Sequence, residues 1–532
     1  MNTMRLRFIV LSTFALCGAL VGAQEKRDGF RDYDFVKAVT PVLNLSNPAA
    51  LAGWDGKISE AAVRFDKADG ALASLTESKD SYEVTAGTES YYRVSDRIAF
   101  FGHIDWSYFN GKEMGGPVLI DPEYNPFNLY ENDPTTLGTR KRESYSLKGA
   151  MSYSFSDRWA AGIAVKFDGK DQTKLKDPRF LTYWTDLALD AGLSFQPTSD
   201  ILIGASGFFR NTLETVQGGI YGKTDQSYFF QVDRGGFFGT VSELVGERGA
   251  LTTRDKRPMH NNLYGGAVQL AVSDRLFSEV TFTLRDGYFG RKSSSSPVFF
   301  EFSGYEVRYN GAVIIPSGNS KHRISISAGY SYLGNEENTF EYITPEGGVT
   351  YVEYTGRRFN TEMTVLDGTL GYRWYYGGSE QRPDLTVGAD VKAYSKRQGT
   401  EIYPFYRNQD FIRIDADVFV SKDIRLGSKS VLNVGAHGLY HTGSGTAKDD
   451  GMRAQATSSL IRSFDMWLDP QFEFDTASRA GGLASIEWIP VLKKAVTPYV
   501  RISDSFMRLL QEPVALKGKT RNVASVTVGI VF

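Results

Sequence analysis

The sequence predicts an all-β fold: a transmembrane antiparallel β-barrel of about 14–18 strands with a small N-terminal plug or hatch segment. Three observations predict it. Apolar and polar residues alternate with period two along many segments of roughly ten or more residues, as in strands with two unlike faces. Several of these segments end in aromatic clusters, and the connections between them are alternately short and long. Composition agrees, with 35 Phe, 29 Tyr, 7 Trp and 54 Gly among 532 residues. A mean hydropathy of −0.29 is too polar for a bundle of membrane helices, and the aromatic content is too high for a disordered chain. A single Cys excludes a disulfide scaffold or a thiolate metal site. The 60 Lys+Arg against 62 Asp+Glu give a net charge of −2, so no nucleic-acid partner is written into the charge balance.

Taken in order, the chain begins with Arg5 and Arg7 ahead of an apolar run from Phe8 to Val21, followed by Val21-Gly22-Ala23. This predicts a signal peptide over residues 1–23, cleaved between Ala23 and Gln24, and the run is too short to span a bilayer. Cys17 leaves with it, and Leu16 stands where lipidation needs a small residue. Loss of Arg5 and Arg7 takes the charge from −2 to −4.

Residues 24–56 follow as the plug or hatch segment. Phe35, Val36, Val39, Val42, Leu43, Leu45 and Leu51 surround a break at Pro48 in a stretch too short to fold alone. A barrel lumen is the nearest shelter for that surface. Asn47-Pro48 also fits an ordinary helix N-cap followed by Pro at the first helical position.

The barrel is expected over residues 57–532. Strand-like runs fall near 57–66, 80–93, 97–110, 143–155, 159–170, 184–195, 201–213, 261–272, 276–290, 297–310, 322–334, 359–376, 384–397, 408–421, 429–443, 479–490, 496–509 and 520–532. An even count of eighteen puts both ends of the barrel on the periplasmic side. Over 184–195, Leu187, Leu189, Leu193 and Phe195 oppose Asp186, Asp190 and Ser194; over 322–334, Ile324, Ile326 and Tyr330 oppose Ser325, Ser327 and Ser331. Alternation alone also fits a soluble sandwich. The length of the runs and the clusters Trp106-Ser107-Tyr108-Phe109, Tyr372-Arg373-Trp374-Tyr375-Tyr376 and Tyr403-Pro404-Phe405-Tyr406, read as interfacial girdles, favour the barrel. The first pair of runs and the segment 466–477 carry the weakest pattern.

Ser95-Asp96-Arg97, Ser156-Asp157-Arg158 and Ser273-Asp274-Arg275 read as tight turns. Long connections are expected over 113–142, 214–259, 336–358 and 444–465, on the extracellular side. Lumen-parity charges are of both signs: Asp186, Asp190, Glu279, Asp367, Asp390, Asp415 and Asp417 with Arg285, Arg373, Lys392 and Arg413. They suggest an interior crossed by ion pairs rather than a path of one sign.

Ala524, Val526, Val528, Ile530 and Phe532 share the lipid-facing parity, and Phe532 at the end resembles the recognition signal read by the barrel-assembly machinery. Leu45-Ser46-Asn47-Pro48-Ala49-Ala50-Leu51-Ala52 resembles the Asn-Pro-Ala segment of long-chain fatty-acid-transporter-type outer-membrane proteins, and the rest is similar to uncharacterised Bacteroidota outer-membrane barrels. The first resemblance implies a fourteen-strand barrel with a hatch at Asn47, Pro48 and Ala49.

Catalytic and metal signatures are lacking. His437 and His441 would lie roughly 13 Å apart on a strand, too far for one ion, and read as solvated lumen or loop residues. Gly-Ala-Ser-Gly at 204–207 has no nucleophile-elbow spacing, and Gly235-Gly236 reads as loop flexibility. The sequence thus predicts an outer-membrane channel or transporter, not an enzyme, without cofactor. It would sit in membrane lipid and admit a small hydrophobic or amphipathic ligand without energy input. The competing expectation is a structural or partner-binding barrel whose long loops, with Phe229-Phe230 and Phe237-Phe238 exposed, engage a surface protein.

Overall fold

The computed structural model describes residues 30–131, 134–222, 227–244, 257–427, 429–452, 461–492 and 496–532. The expected cleavage site at Ala23 and Gln24 lies outside the described residues. A short helix α1 (Tyr33–Ala38) and two 3₁₀ turns, Pro41–Asn44 and Pro48–Gly53, come first. Then follow β1 (Lys57–Asp69), β2 (Asp80–Ser95), β3 (Ile98–Met114), β4 (Asn128–Glu131), β5 (Gly138–Ser154), β6 (Trp159–Lys174), β7 (Arg179–Thr198) and β8 (Ile201–Gly219). The middle of the chain holds β9 (Tyr228–Asp233), β10 (Phe238–Leu244), β11 (Arg257–Val272), β12 (Leu276–Ser293), β13 (Ser296–Ser317), β14 (Ser320–Ile343), β15 (Tyr351–Tyr376) and β16 (Leu385–Ile402). The last part holds β17 (Phe405–Leu426), β18 (Ser430–Met452), β19 (Ile461–Ser463), helix α2 (Asp465–Thr476), β20 (Arg479–Pro490), β21 (Thr497–Leu509) and β22 (Thr520–Val531).

Eighteen of these strands, all but β4, β9, β10 and β19, form one antiparallel sheet, and β1 pairs with β22 from Glu60–Val531 to Asp69–Asn522. The sheet is therefore a closed ring with no free edge, as a strand protein in lipid requires. Eighteen stands at the top of the expected range and above the fourteen that the fatty-acid-transporter resemblance implies.

The period-two pattern sorts the side chains. In β7, Leu187, Leu189 and Leu193 are exposed while Asp186 and Ala188 are buried; in β14, Ile324, Ile326 and Tyr330 are exposed on the outer face. This outer band is bordered by Tyr153, Trp159, Tyr372 and Trp488 towards the short turns and by Tyr145, Tyr264, Tyr305 and Tyr330 towards the other end. A closed antiparallel ring with an apolar band between aromatic girdles is an outer-membrane barrel. The cluster at 372–376 divides between two roles, because Tyr375 points inward into a buried apolar cluster while Tyr372 and Tyr376 face out.

Two expected loops are largely strand. β14 and β15 run for 24 and 26 residues, so only 344–350 remains of the connection expected over 336–358. Tilted strands of that length rise roughly 55 Å against an apolar band of about 25 Å, so they continue well beyond the bilayer. There neither face meets lipid, the inner one carrying buried polar residues such as Asn335, Asn338 and Asn360, and register shifts at Asn335/Glu336 and Thr339/Phe340 break the alternation that marks a strand in the sequence. Likewise β18 extends to Met452 and β19 occupies 461–463, inside the stretch expected as loop at 444–465. The segment 466–477 lies almost wholly within α2.

Candidate functional site

The ring is wide enough that eighteen strands alone would leave an aqueous channel. What stands in that lumen is therefore the site. At the short-turn end, residues 30–56 lie against inward side chains from all round the ring. Tyr33, Phe35, Val36, Val39, Leu43 and Leu51 share a buried cluster with Ile58, Tyr91, Ile314, Tyr375, Val431, Ile489 and Tyr499, and Phe35 meets Tyr375 edge-on at 4.9 Å. Apolar burial of this kind is the main force holding a short segment that has no core of its own.

Polar contacts set its register. Asp32 caps α1 by accepting from the Phe35 N–H at 2.9 Å. The turn between β15 and β16 bends inward to meet it: Asp32 N–H donates to the Gln381 carbonyl at 2.9 Å, and buried Arg382 forks onto Asp423 at 2.9 and 3.0 Å and reaches Glu487 at 3.3 Å. Lys37 donates to Glu89 at 2.6 Å, and the Ser46 N–H and hydroxyl both donate to Glu279 at 2.8 Å.

The expected hatch residues come together here. Asn47 is 2% exposed and Ala49 fully buried. The Asn47 carboxamide accepts from the Ala49 N–H at 2.9 Å, and donates to the Leu193 carbonyl at 3.0 Å and to Gln269 at 3.1 Å. Ser152 and Ser194 both donate to the Ala49 carbonyl at 3.1 Å. The N-cap reading of Asn47-Pro48 holds locally, with Pro48 opening a 3₁₀ turn, and the same residues also bond to the barrel wall. The wall is notched to receive them. A Cβ on Gly162 would lie 2.7 Å from Cα of Ala49, and one on Gly204 would lie 2.8 Å from the Asn47 amide nitrogen. These glycines were not among the expected site residues, and a glycine in a strand gives no sign in the sequence of what approaches it.

At the opposite end, β4, β9, β10 and β19 form a separate four-stranded sheet. Leu129, Phe127 and Phe230 pack with Phe289, Phe300, Phe302, Leu333 and Met363 of the wall, and Phe127 stacks on Phe300 at 4.7 Å. The expectation that Phe229-Phe230 and Phe237-Phe238 are exposed holds only for Phe229: Phe230 is 1% and Phe238 7% exposed, and Phe237 packs partly buried on Tyr130 at 5.2 Å, because the loop turns inward and adjacent strand residues face opposite ways. Gly235 and Gly236 have φ of 122° and 64°, a tight reversal between β9 and β10 rather than a flexible stretch.

Ion pairs pin this sheet. Glu131 is buried between Arg140, at 2.8 Å, and Lys174, and its carbonyl accepts from the Trp467 indole of α2 at 2.8 Å. Arg407 donates to the Gly236 carbonyl at 2.8 Å and forks onto Asp450 at 2.6 and 2.8 Å; Arg234 forks onto Glu337 at 2.7 and 3.1 Å. Asp233 is buried and accepts from the Gly235 and Phe238 N–H groups, yet burial outweighs these bonds and pushes its carboxyl up to about 6.

The candidate lumen charges take varied places. Asp186 pairs with Arg210, Asp190 with Lys166 at 3.1 Å, Asp367 with Arg308 at 2.9 Å and Arg373 with Asp390 at 2.5 Å. Glu279 binds the N-terminal segment through Ser46. Arg285 stacks over Tyr124 at 3.9 Å and donates to Asn261. Arg413 pairs with Asp475 of α2 at 2.5 Å; Asp415 holds His441 at 2.6 Å and Asp417 holds His437 at 3.0 Å. His441 is 2% exposed and not solvated, since Asp475 supplies a second partner through its carbonyl at 2.9 Å. Lys392 shares the inward register opposite Asp415 and is exposed there.

Between the two regions lie two cavities. One, of about 580 Å³, is bordered by Arg64, Asp66, Glu83, Phe109 and Arg142; the other, of about 300 Å³, by Arg285, Glu306, Arg308, Asp367 and Tyr394. Both touch Asp121 and Glu123, on the loop leading into β4.

Residues 48–532 match a family described as a family of unknown function, DUF6850. No curated protein matches the sequence. Among solved structures, the chain is similar to BauA, the ferric preacinetobactin receptor of Acinetobacter baumannii, at 8% identity over 88% of this chain and 80% of that one, with a TM-score of 0.36. It is similar to the ferric-catecholate import receptor Fiu of E. coli K12 at 6% identity over 88% and 81%, TM-score 0.35, and to the outer membrane transporter YddB of Escherichia coli at 8% over 89% and 80%, TM-score 0.36. The strand ladder itself, not these likenesses, establishes the barrel.

Proposed function

The chain belongs to the DUF6850 family, of unknown function, and from that premise we propose that it is an outer-membrane transport barrel whose lumen is stoppered at both ends and opens to pass a small solute. One observation carries this reading. The ring closes from Lys57 onward, with β1 paired to β22, so residues 30–56 contribute no strand to the wall and are an occupant that the barrel does not need for closure. The segment would then act as the hatch, with Asn47, Pro48 and Ala49 as its seat, and the inward sheet β4-β9-β10-β19 as the outer stopper. Passage requires no energy source other than thermal release of the seat. The solute carries polar or charged groups, because charged side chains make up about half of the lining of the larger cavity, while the smaller one mixes charges with Tyr124, Tyr332, Tyr394, Leu263 and Leu333.

Recordings of the full-length protein in planar bilayers test the reading. A closed baseline with brief openings, lengthened by weakening the Asn47 seat, supports it; a permanently open conductance in the intact protein would refute it.

A second reading, a barrel that engages a partner at the cell surface, is favoured by one feature. On the part of β13–β15 that stands beyond the bilayer, Phe299, Phe340, Tyr342 and Tyr354 form an aromatic cluster, with Phe340 at 5.5 Å from Phe299 and 5.7 Å from Tyr342, and Tyr342 and Tyr354 are exposed. Loss of a cell-surface pull-down partner on Tyr342→Ser with unchanged conductance would favour this alternative.

A further inference from the structure

We propose, resting on the transport reading, that the chamber beneath the Asp121-Pro122-Glu123 tip binds a small zwitterionic solute, one carrying an ammonium group and a carboxylate. The tip borders both cavities, the larger of about 580 Å³, which is within the range of small-molecule sites. Several other charges on these linings are paired: Arg308 bonds to Glu306 and Asp367, and Arg64 to Asp66. The carboxylates of Asp121 and Glu123 make no contact ion pair or hydrogen bond among the described residues; Arg285 acts on the first and Arg413 on the second from beyond contact.

In the larger cavity these acids share the lining with Arg142, whose guanidinium lies 5.0 Å over the Phe109 ring and makes no contact ion pair among the described residues, although Glu83 on the same lining is near enough to favour its charge. Its planar fork suits a carboxylate, while the free acids suit an ammonium group. A simple cation would leave Arg142 without a contacting anion, a simple anion would leave the acids without a contacting cation, and a neutral sugar would supply neither. A solute carrying both charges satisfies the whole lining, and the closed walls concentrate the field that draws it in.

Titration calorimetry on the full-length protein in detergent, with lysine, cadaverine, glutarate and glucose as probes, tests this. Lysine should bind at least tenfold more tightly than cadaverine or glutarate, and glucose should give no heat. Arg142→Gln should abolish the preference for lysine over cadaverine, and the pair Asp121→Asn with Glu123→Gln should weaken lysine at least tenfold. Each variant is first checked for heat-modifiable migration; should one fail to fold, the ranking of the four probes on the unaltered protein decides. Absence of that ranking, including no binding by any probe, overturns the proposal, as do folded variants that bind lysine unchanged. Failure of the transport reading looks different, because lysine would still bind with the expected ranking while permeability did not respond to release of residues 30–56.

Discussion

A side chain at Gly192 would occupy the space of the Asn47 carboxamide: a Cβ built on Gly192 would come within 2.7 Å of Cγ of Asn47 and closer still to its oxygen. The seat of the N-terminal segment thus depends on a hydrogen in place of a methyl group in the middle of β7. Gly192→Val should favour the strand itself, since Val fits a pleated sheet better than Gly, while overpacking the seat by about 1–3 kcal/mol. The expected outcome is a barrel that still migrates differently before and after boiling, with faster proteolysis within residues 30–56. Unaltered protection of that segment would mean that the notch does not hold it.

The two faces of β14 give a test of the wall. Ile326 is 48% exposed on the outer face and Ser327 points inward. Ile326→Arg should cost about 2–4 kcal/mol near the midplane and Ser327→Arg much less. Urea midpoints for refolding into lipid vesicles measure both, and equal losses would mean that the faces are misassigned.

The inward sheet depends on a buried carboxylate. Glu131 pairs with both Arg140 and Lys174, and all three are under 5% exposed. Glu131→Gln leaves two buried cations with one neutral partner, a loss on the order of 3–5 kcal/mol. Hydrogen exchange at β4, β9 and β10 should speed up while the barrel strands stay protected; uniform protection would show that the apolar contacts of Phe127 and Phe230 suffice.

Acidity should tighten the same sheet. The Asp233 carboxyl is pushed up to about 6 when the sheet is docked, against about 3.9 in an unfolded chain, so the docked state binds the proton more strongly. Its stabilising contribution is complete below about pH 4 and is lost as pH rises through about 6. Protection factors of β9 and β10, that is exchange rates corrected for the intrinsic rise with pH, should therefore fall across that window in the natural protein and stay flat in Asp233→Asn, whose amide oxygen can still accept from Gly235 and Phe238. A pH response that persists in the variant would place the proton elsewhere.

Much of the barrel was legible because lipid and lumen alternate residue by residue, as Leu187, Leu189 and Leu193 against Asp186 and Asp190 show. Legibility stopped where that contrast stops. Beyond the bilayer β14 and β15 have polar surroundings on both sides, and their upper halves read as loop. The inward turn of the segment carrying Phe229 and Phe230 could not be read either, because its partners Phe289, Phe300 and Phe302 are distant in sequence. Asn47 stood out by its neighbour Pro48, but the glycines that receive it, Gly162, Gly192 and Gly204, lie over a hundred positions away.

The most direct test of a stoppered transport barrel is the permeability of reconstituted vesicles to small solutes before and after deletion of residues 30 to 52. The account predicts that the deletion variant still closes its ring through β1 and β22, stays heat-modifiable, and swells vesicles in the presence of small zwitterions several-fold faster than the intact chain. A folded variant with unchanged permeability would contradict it.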